Sequence, residues 1–273
     1  MRKLLFVMLY FVLFSANAAL AANVLFVSDN LSDSTNIPSV LTGDGHTVTV
    51  VTNDYAGDTN PTLQGSLAAY GLVVWSATGT GSGSVHTTAA VFSNLASYVS
   101  AGGYVLVTGY DTIASPDDSN LLTFLGGTGV HDGGTPSGGA IGPNSLTSGV
   151  VNIVGVTPTG GYSDQDSMTG IAGDTVGVVP DSGDWLWTIR TLGSGQIAYI
   201  SNGYSGGEHA SWLDTSAGGA GAYNAGLRNF ASNAGSGPGP ASIPTLSEWG
   251  MIIMSILLGI TAVVYIRRQR MEL

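Results

Sequence analysis

The chain has 273 residues, of which 41 are glycine, none is cysteine and 44% are hydrophobic, and its formal net charge is −11. An acidic chain repels nucleic acid, so the charge excludes DNA or RNA as a partner. The lack of cysteine excludes disulfides, thiolate nucleophiles and thiolate metal ligands, so a stable fold has to rest on its apolar core.

The N-terminal segment has the organisation of a secretory signal peptide. Arg2 and Lys3 precede an apolar run at 4–14, and the small residues of Ala19-Leu20-Ala21 follow. Signal peptidase recognises a short basic region, an apolar run of this length and a small-x-small site. We predict a signal peptide over 1–22, with the mature chain beginning near Ala22. Cleavage after Ala18 and an uncleaved anchor are the alternatives.

The first half of the remaining chain alternates apolar strands with helices. Strands are predicted at 23–28, 46–52, 72–76 and 104–108, and helices at 37–41, 63–70 and 87–100. Continuous apolar strands separated by helices favour parallel pairing, with helices on both faces of the sheet. This half therefore predicts a doubly wound, mostly parallel α/β sheet in which the four strands are adjacent.

The second half is predicted to be rich in strands. Strand-like segments at 150–156, 175–179, 185–191 and 196–201 are separated by glycine and aspartate turns, and a helix is predicted at 223–231. Trp185 and Trp187 alternate on one strand, so they share a face, where they stack on sugar rings or fill the core. The α/β ectodomain is predicted to span 23–233, followed by a Gly/Pro-rich linker at 234–242.

A second membrane signal lies at the C-terminus. The segment 249–266 carries no charge, is long enough to span a bilayer and has aromatic residues near both ends. The basic residues that follow it, Arg267, Arg268 and Arg270, are expected to stay in the cytoplasm. The sequence therefore predicts one transmembrane helix with the ectodomain outside, and an ordinary single-pass anchor is the plain alternative.

The residues around this helix form a motif. It consists of Ile243, Pro244, Thr245 and Leu246, then Trp249 and Gly250, then the apolar helix and the three arginines. Residues 243–273 closely resemble the IPTL-CTERM sorting signal, a relative of the PEP-CTERM class that exosortase-type membrane proteases process in Gram-negative bacteria, often alongside exopolysaccharide genes.

This resemblance implies a route for the protein. The motif residues would be recognised by an exosortase-type protease, after signal peptidase has acted at the other end. The ectodomain would stand in the periplasm on the inner membrane and then reach the cell surface or the medium. The exopolysaccharide genes that often accompany this class make extracellular polysaccharide a candidate partner, although the sequence does not name the ligand.

The ectodomain has a second, looser resemblance. Gly109-Tyr110-Asp111 follows the fourth predicted strand and Gly207-Glu208-His209 follows a late one. With the strand pattern, these residues resemble class I glutamine amidotransferase-like domains, which have a flavodoxin-like sheet and include trehalose-utilisation-type relatives. That family places a cysteine in a glycine-x-cysteine turn and a His-x-Glu dyad late in the chain. Asp111 replaces the cysteine and the order of Glu208 and His209 is reversed, so amidotransferase chemistry is not expected.

A serine hydrolase signal is also incomplete. Residues 203–207 match G-x-S-x-G around Ser205, but no histidine follows His209 to complete the order serine, acid, histidine. We therefore predict a non-catalytic surface or extracellular-matrix protein. The alternative is an exported hydrolase that uses Ser205 or the region of Asp111, Glu208 and His209.

Calcium is the one cofactor that the composition favours. The carboxylates of Asp164, Asp166, Asp181 and Asp184 are oxygen ligands of the type that calcium binds, although the twelve-residue loop spacing is absent. Capping of turns is the alternative role for these residues. No other cofactor is expected.

Overall fold

The computed structural model describes residues 21–29, 35–55, 59–77, 88–109, 112–113, 119–159, 165–202, 209–216 and 218–236, with Ser255, Leu258 and Gly259. The chain divides into two compact units, 1–239 and 240–273. The first unit contains the sheet.

Within these residues the first unit has nine strands and five α-helices. The strands are β1 Asn23–Ser28, β2 Thr47–Val51, β3 Leu72–Ser76, β4 Tyr104–Gly109, β5 Gly129–Gly134, β6 Gln165–Thr169, β7 Thr175–Asp181, β8 Asp184–Leu192 and β9 Gly195–Ser201. The helices are α1 Asn36–Gly43, α2 Pro61–Gln64, α3 Ala89–Ser100, α4 Ser119–Leu125 and α5 Ala222–Ser236, with short 3₁₀ helices at Ala210–Leu213 and Gly219–Gly221.

The strands form one sheet in the order β2-β1-β3-β4-β9-β8-β6-β5, and β7 pairs with β8. We call β2, β1, β3, β4 and β9 the parallel half, because each pairs in parallel with its neighbour in that group. We call β8, β7, β6 and β5 the antiparallel half. The predicted adjacency of the first four strands in one parallel layer is confirmed.

Helices cover both faces of the parallel half. Val24 and Phe26 of β1 join a core cluster that includes residues of α1 and α5. Leu25 and Val27 point the other way and join a cluster that includes residues of α3 and α4. Since alternate residues of a strand face opposite sides, a strand with continuous apolar sequence is buried on both. The doubly wound arrangement is therefore confirmed for this half.

Two predicted elements are wrong. In place of the helix expected at 63–70, the structure has only the four-residue α2. Gly65, which follows α2, has an extended backbone and ends the helix. The strand expected at 150–156 is a loop. Its backbone bonds to a side chain in place of a neighbouring strand, since the amide of Asn229 accepts from Val151 N at 2.9 Å and donates to Val151 O at 2.7 Å.

The residue before β1 is already part of the core. Ala21 is exposed, whereas Ala22 is only 6% exposed. The backbone N–H of Ala22 donates to Nδ1 of His46 at 3.1 Å, and its carbonyl accepts from Thr47 N at 3.1 Å. Burial lowers the pKa of His46, and the nearby charge of Asp44 acts in the opposite direction.

The predicted membrane segments lie almost entirely outside the described residues. No helix in the described parts of the chain is both long enough and apolar enough to cross a membrane. Residues 1–20 lie outside those parts, as does 249–266 apart from Ser255, Leu258 and Gly259. The signal peptide and the transmembrane helix therefore stay predictions.

Candidate functional site

Polar residues line the carboxyl end of the parallel half. Ser28 of β1 is in register with Ser76 of β3, which is in register with Thr108 of β4, and all three are fully buried. Thr108 donates its hydroxyl to Ile200 O at 2.7 Å. Open α/β sheets bind ligands at this edge, outside the carboxyl ends of the strands. A functional site is therefore expected at this edge.

One acidic cluster lies where the chain order of the strands reverses, between β1 and β3. Asp29 is 5% exposed, and its Oδ1 accepts from Asn60 Nδ2 at 2.7 Å and from Trp75 Nε1 at 3.0 Å. Asp54 accepts from the backbone N–H of Thr62 at 3.1 Å and from its hydroxyl at 2.5 Å. Asp54 thus stabilises the first turn of α2. Asp29 connects the residue before that turn, Asn60, to the indole of Trp75 in β3.

The environment of Asp54 acts on its carboxyl group in opposing directions. Burial raises the pKa of Asp54, the hydrogen bonds from Thr62 lower it, and the charge of Asp29 raises it further. Because each carboxyl already accepts hydrogen bonds from neighbouring groups, the cluster has an evident structural role. Sequence reasoning did not single out either residue, although both follow a predicted strand.

A second polar region lies at the ends of β4 and β9. Gly109 ends β4 with φ +152°, and a Cβ at this position would lie 2.7 Å from Ala77 O and 2.7 Å from Thr112 Oγ1. Only glycine fits this close turn without strain. Strand β4 thus ends at Gly109, whereas Tyr110 and Asp111, the latter predicted in the nucleophile position, lie outside the described residues, so the sharp turn stays a prediction.

Strand β6 lies close to these strand ends. Asp166 accepts from Ile113 N through Oδ2 at 3.0 Å, and its carbonyl accepts from the hydroxyl of Tyr199 at 3.0 Å. Next to it, Gln165 Oε1 accepts from the hydroxyl of Tyr223 at 3.1 Å. Asp166, a candidate calcium ligand in the sequence, is 2% exposed and binds the chain that follows β4.

Two side chains in this region have polar atoms without partners. Asn202 follows β9 and Thr112 follows β4, and both are fully buried. Among the described residues, neither Nδ2 nor Oδ1 of Asn202 has a hydrogen-bond partner, and neither has Oγ1 of Thr112. Sequence reasoning missed both residues, because a single asparagine or threonine after a strand resembles any other turn residue.

His209 is the one catalytic candidate of the sequence among the described residues. Its Nδ1 accepts from Ser211 N at 3.1 Å and lies 2.6 Å from Ser211 Oγ, so the side chain caps the 3₁₀ helix Ala210–Leu213. Burial lowers the pKa of His209, which favours the neutral ring. Since Nδ1 accepts a backbone N–H, the neutral ring carries its proton on Nε2. Ser205 and Glu208 lie outside the described residues.

The structure brings two of the four candidate calcium ligands together. Asp181 and Asp184 flank the β7–β8 turn, where their Oδ2 atoms lie 3.5 and 3.7 Å from Nδ1 of His131. Asp181 also accepts from Ser167 Oγ at 3.1 Å. Among the described residues no group of three or more His, Cys, Asp or Glu could hold a metal ion. Asp164 lies outside them, so calcium stays a prediction.

Both basic residues of the ectodomain sequence are paired. Arg190 lies in a surface pocket of about 380 Å³ beside α4, and it donates to Asp174 at 2.9 Å and to two α4 carbonyls at 2.8 Å. Arg228 lies in a pocket of about 320 Å³ and donates to both oxygens of Asp44 at 2.6 and 2.8 Å. Each guanidinium already binds a carboxylate, so neither pocket is built to receive an anion.

The aromatic pair on β8 divides between core and surface. Trp187 is fully buried, with its ring centroid 5.2 Å from that of Tyr223. Trp185 is partly exposed and its ring lies over Gly177, where a side chain would collide with it. Trp187 therefore fills the core and does not offer a face for stacking on a sugar.

The C-terminal segment matches a known motif. Residues 241–270 match the model of the IPTL-CTERM motif, so the predicted sorting signal is confirmed at the level of that motif. A comparison of the whole chain with curated proteins finds no match. The chain is thus an α/β protein that carries an IPTL-CTERM sorting motif.

Several solved structures are similar to this chain. One is a cytoplasmic protein from Salmonella typhimurium, at 15% identity over 76% of this chain and 98% of that one, with a TM-score of 0.47. Others are ThuA-like proteins from Parabacteroides merdae (14% identity, 66% and 78% covered, TM-score 0.41) and Bacteroides uniformis (12% identity, 81% and 93% covered, TM-score 0.40). The finer resemblance to glutamine amidotransferases is not confirmed.

Proposed function

We propose that this protein is exported, anchored in the inner membrane by its C-terminal segment and processed there by an exosortase-type protease. Its ectodomain acts as a non-catalytic binding domain at the cell surface or in the extracellular matrix. The observation that carries the proposal is the IPTL-CTERM match at 241–270, which begins five residues after the last residue of α5.

The chemistry of the ectodomain supports binding over catalysis. The chain has no cysteine, so an acyl-enzyme cannot form on a thiol. Of the residues named for the hydrolase alternative, only His209 is described, and its Nδ1 caps a helix. The carboxyl end of the parallel half is the edge at which open α/β sheets bind ligands, which favours a binding role.

The sorting step depends on backbone shape just outside the membrane. Proline disfavours a helical conformation in the residue before it, so we expect Pro244 to bias Ile243 towards an extended conformation. A protease needs an extended substrate, because the carbonyl of a helical peptide bond is held in an internal hydrogen bond. The motif therefore gives the protease an accessible segment directly before the membrane helix.

The test is mass spectrometry of the C-terminus in a host that has the matching sorting protease. We expect the wild-type protein to lack its C-terminal peptide ending at Leu273, and Pro244→Ala to retain it in the inner membrane. Replacement of the three arginines by neutral residues is expected to have the same effect. The matched control is Pro238→Ala, the same substitution outside the motif. An intact Leu273 in the wild-type protein contradicts processing and reduces the segment to an anchor.

The non-catalytic role has a separate test. The purified full-length protein is assayed for ammonia release from glutamine and for hydrolysis of a simple ester, beside a heat-denatured sample. We expect no turnover above that sample, and no change in Ser205→Ala or His209→Asn. Turnover that Ser205→Ala abolishes is the result that favours the hydrolase.

A further inference from the structure

We propose that β2 is a self-association surface, through which two copies of this chain join their sheets edge to edge across a two-fold axis. The partner is a second copy of this protein. The inference goes beyond the proposed function, because it depends neither on the sorting signal nor on a ligand of the ectodomain.

Strand β2 has one open side. It pairs with β1 on the other side, and among the described residues no further strand pairs with it. Thr47 N donates to Ala22 O at 3.1 Å, so the backbone groups of Thr47 point towards β1. Because these groups alternate in direction along a strand, the N–H and C=O groups of Val48 and Val50 point away from β1. Four backbone hydrogen-bonding groups are therefore directed outwards at this edge of the sheet.

The open edge is exposed and uncharged. Thr47 and Thr49 are exposed, and Val50 is 42% exposed. Residues 46–53 contain no Asp, Glu, Lys or Arg, although the chain has a net charge of −11. Natural proteins protect edge strands with charged residues, prolines or bulges, because an open edge pairs with another strand. β2 has none of these features, and its register with β1 is continuous over all five of its residues.

The other two strands at the margins of the described sheet are protected. β5 has the exposed residues His131 and Asp132 and a register irregularity after His131. β7 contains Pro180, has two register irregularities and is covered by a loop, whose Ile141 N donates to Val178 O at 2.7 Å. The contrast identifies β2 as the edge to which a strand can be added.

This edge is complementary to itself. In a two-fold arrangement centred on Thr49, two antiparallel β2 strands place Val48 opposite the partner's Val50 and Val50 opposite the partner's Val48. Each of these pairs exchanges two backbone hydrogen bonds, so all the outward groups of both strands are satisfied. The two valines of each pair lie on the same face of the joined sheet, where the contact covers the exposed Val50. Because both copies use the same surface, the contact closes as a dimer and does not propagate.

Charge favours contact at this edge over contact elsewhere. Two copies of an acidic chain repel each other, and the repulsion is weakest where the touching surfaces carry no charge. Asp44, which precedes β2, is bound to Arg228. Salt screens repulsion between exposed charges, so added salt is expected to strengthen the dimer.

The size of the contact predicts its strength. Stable interfaces bury about 1,200–2,000 Å², whereas a five-residue strand is only about 17 Å long. The dimer is therefore expected to be weak and reversible in solution. Anchoring of two copies in one membrane, as proposed above, raises their effective concentration and favours the dimer.

The absence of cysteine allows a direct test, because a single introduced thiol reports the position of the axis. Directly opposite residues of a non-hydrogen-bonded pair have Cα atoms about 4.5 Å apart, which suits a disulfide. Purified full-length Thr49→Cys in detergent, under mild oxidation, is expected to form a disulfide-linked dimer on a non-reducing gel. The matched control is Thr47→Cys, which is exposed on the same face of β2. Its two copies would lie about 14 Å apart along the joined strands, so at least tenfold less linked dimer is expected.

A charge placed at the contact tests the same pairing by another route. Val50→Glu in the Thr49→Cys protein puts a carboxylate against the partner's Val48, and is expected to reduce the linked dimer at least fivefold. The control is Val176→Glu on β7, where the side chain is 57% exposed and far from β2 in the strand order. This control is expected to leave the linked dimer unchanged. Thermal unfolding of both variants shows that the sheet is intact.

Four results overturn the inference. They are no linked dimer in Thr49→Cys, equal linkage in Thr49→Cys and Thr47→Cys, equal linkage with and without Val50→Glu, and less linked dimer at higher salt. Association through the C-terminal segments in detergent would link both cysteine variants equally, so it counts among them. None of these results affects the proposed sorting, which the mass spectrometry of the C-terminus tests separately.

Discussion

The two halves of the sheet are held together differently. In the parallel half, β1, β3 and β4 are buried on both faces by apolar side chains, and polar groups are confined to the strand ends. In the antiparallel half, β6 is buried although its first three residues, Gln165, Asp166 and Ser167, are polar. The first half therefore depends on apolar area, whereas β6 in the second half also depends on directed hydrogen bonds.

Two fully buried polar residues, Thr112 after β4 and Asn202 after β9, lie near the place where these two halves meet. The second part of β8 pairs with β9, while Trp185 near its start pairs with Met168 of β6. This arrangement puts polar residues of β6 beside the carboxyl ends of β4 and β9. A doubly wound sheet alone would leave that edge to loops, so the antiparallel half contributes part of the site.

The largest expected effect tests the role of apolar area in the parallel half. Leu106 is fully buried at the centre of β4. We expect Leu106→Ala to lower the free energy of unfolding by about 3 kcal/mol, through lost transfer energy and a residual cavity. Urea unfolding measures the change. The control is Val176→Ala on β7, where the side chain is 57% exposed, and a similar loss there would erase the contrast between the halves.

The next effect tests how closely the start of β9 packs within the parallel half. Gly195 begins β9, and a Cβ there would lie close to the backbone carbonyls of Gly103 and Val99. We expect Gly195→Ala to lower the free energy of unfolding by about 2 kcal/mol, because a backbone carbonyl cannot move aside as a side chain can. The control is Gly173→Ala, where nothing lies within 4 Å. Equal stability of the two variants would mean that the backbone around Gly195 can move to accept a methyl group.

A smaller effect concerns acid stability of the parallel half. Nδ1 of His46 accepts the N–H of Ala22, and burial lowers the pKa of His46. The unfolded chain therefore takes up a proton more readily, so stability is complete above the unfolded pKa of about 6.5 and falls as pH drops below it. His46→Asn keeps an acceptor without titrating in this range, so its unfolding free energy should change less between pH 8 and pH 5.

Two measurements decide this point. Urea unfolding at several pH values gives the slope of the unfolding free energy against pH for each protein. At pH 8 the imidazole of His46 is neutral in both the folded and the unfolded state, so this pH is the internal reference. An identical slope in wild type and His46→Asn shows that another group controls acid stability; His209 is next to be tested, because burial also lowers its pKa.

The smallest expected effect is that of a surface ion pair. Arg228 on α5 binds Asp44 after α1 with two hydrogen bonds, and both side chains are about a quarter exposed. A double-mutant cycle with Asp44→Asn and Arg228→Gln is expected to give a coupling of about 0.5 kcal/mol, decreasing with added salt. A coupling that is large and independent of salt would show that charge, beside apolar area, stabilises the parallel half.

The sequence predicts the parallel half well for a physical reason. Strands such as β3, with the sequence LVVWS, are apolar without interruption, because a strand covered on both faces has no polar side. The helix α3 was also predicted to within two residues, since Val91, Leu95 and Val99 repeat at helical spacing.

In the antiparallel half β7 and β8 were predicted, whereas β5 and β6 were not. β5 has the sequence GVHDGG and β6 the sequence QDSMT, and neither shows an apolar run or a clean alternation. Their burial depends on partners far away in the chain, such as the hydrogen bond from Ser167 to Asp181. Among the described residues the side chain of Asn202 lacks hydrogen-bond partners, which no local sequence pattern encodes.

The buried position of Ala22 gives the exported protein a defined first residue. If signal peptidase cuts after Ala21, as the sequence predicts, the amide that bonds to His46 becomes a free α-amino group in the same place. Exopeptidases need a terminus that protrudes, and this one is held by an imidazole on one side and by β2 on the other. We expect folded protein recovered from cells to start uniformly at Ala22, protected from further trimming in an envelope rich in peptidases.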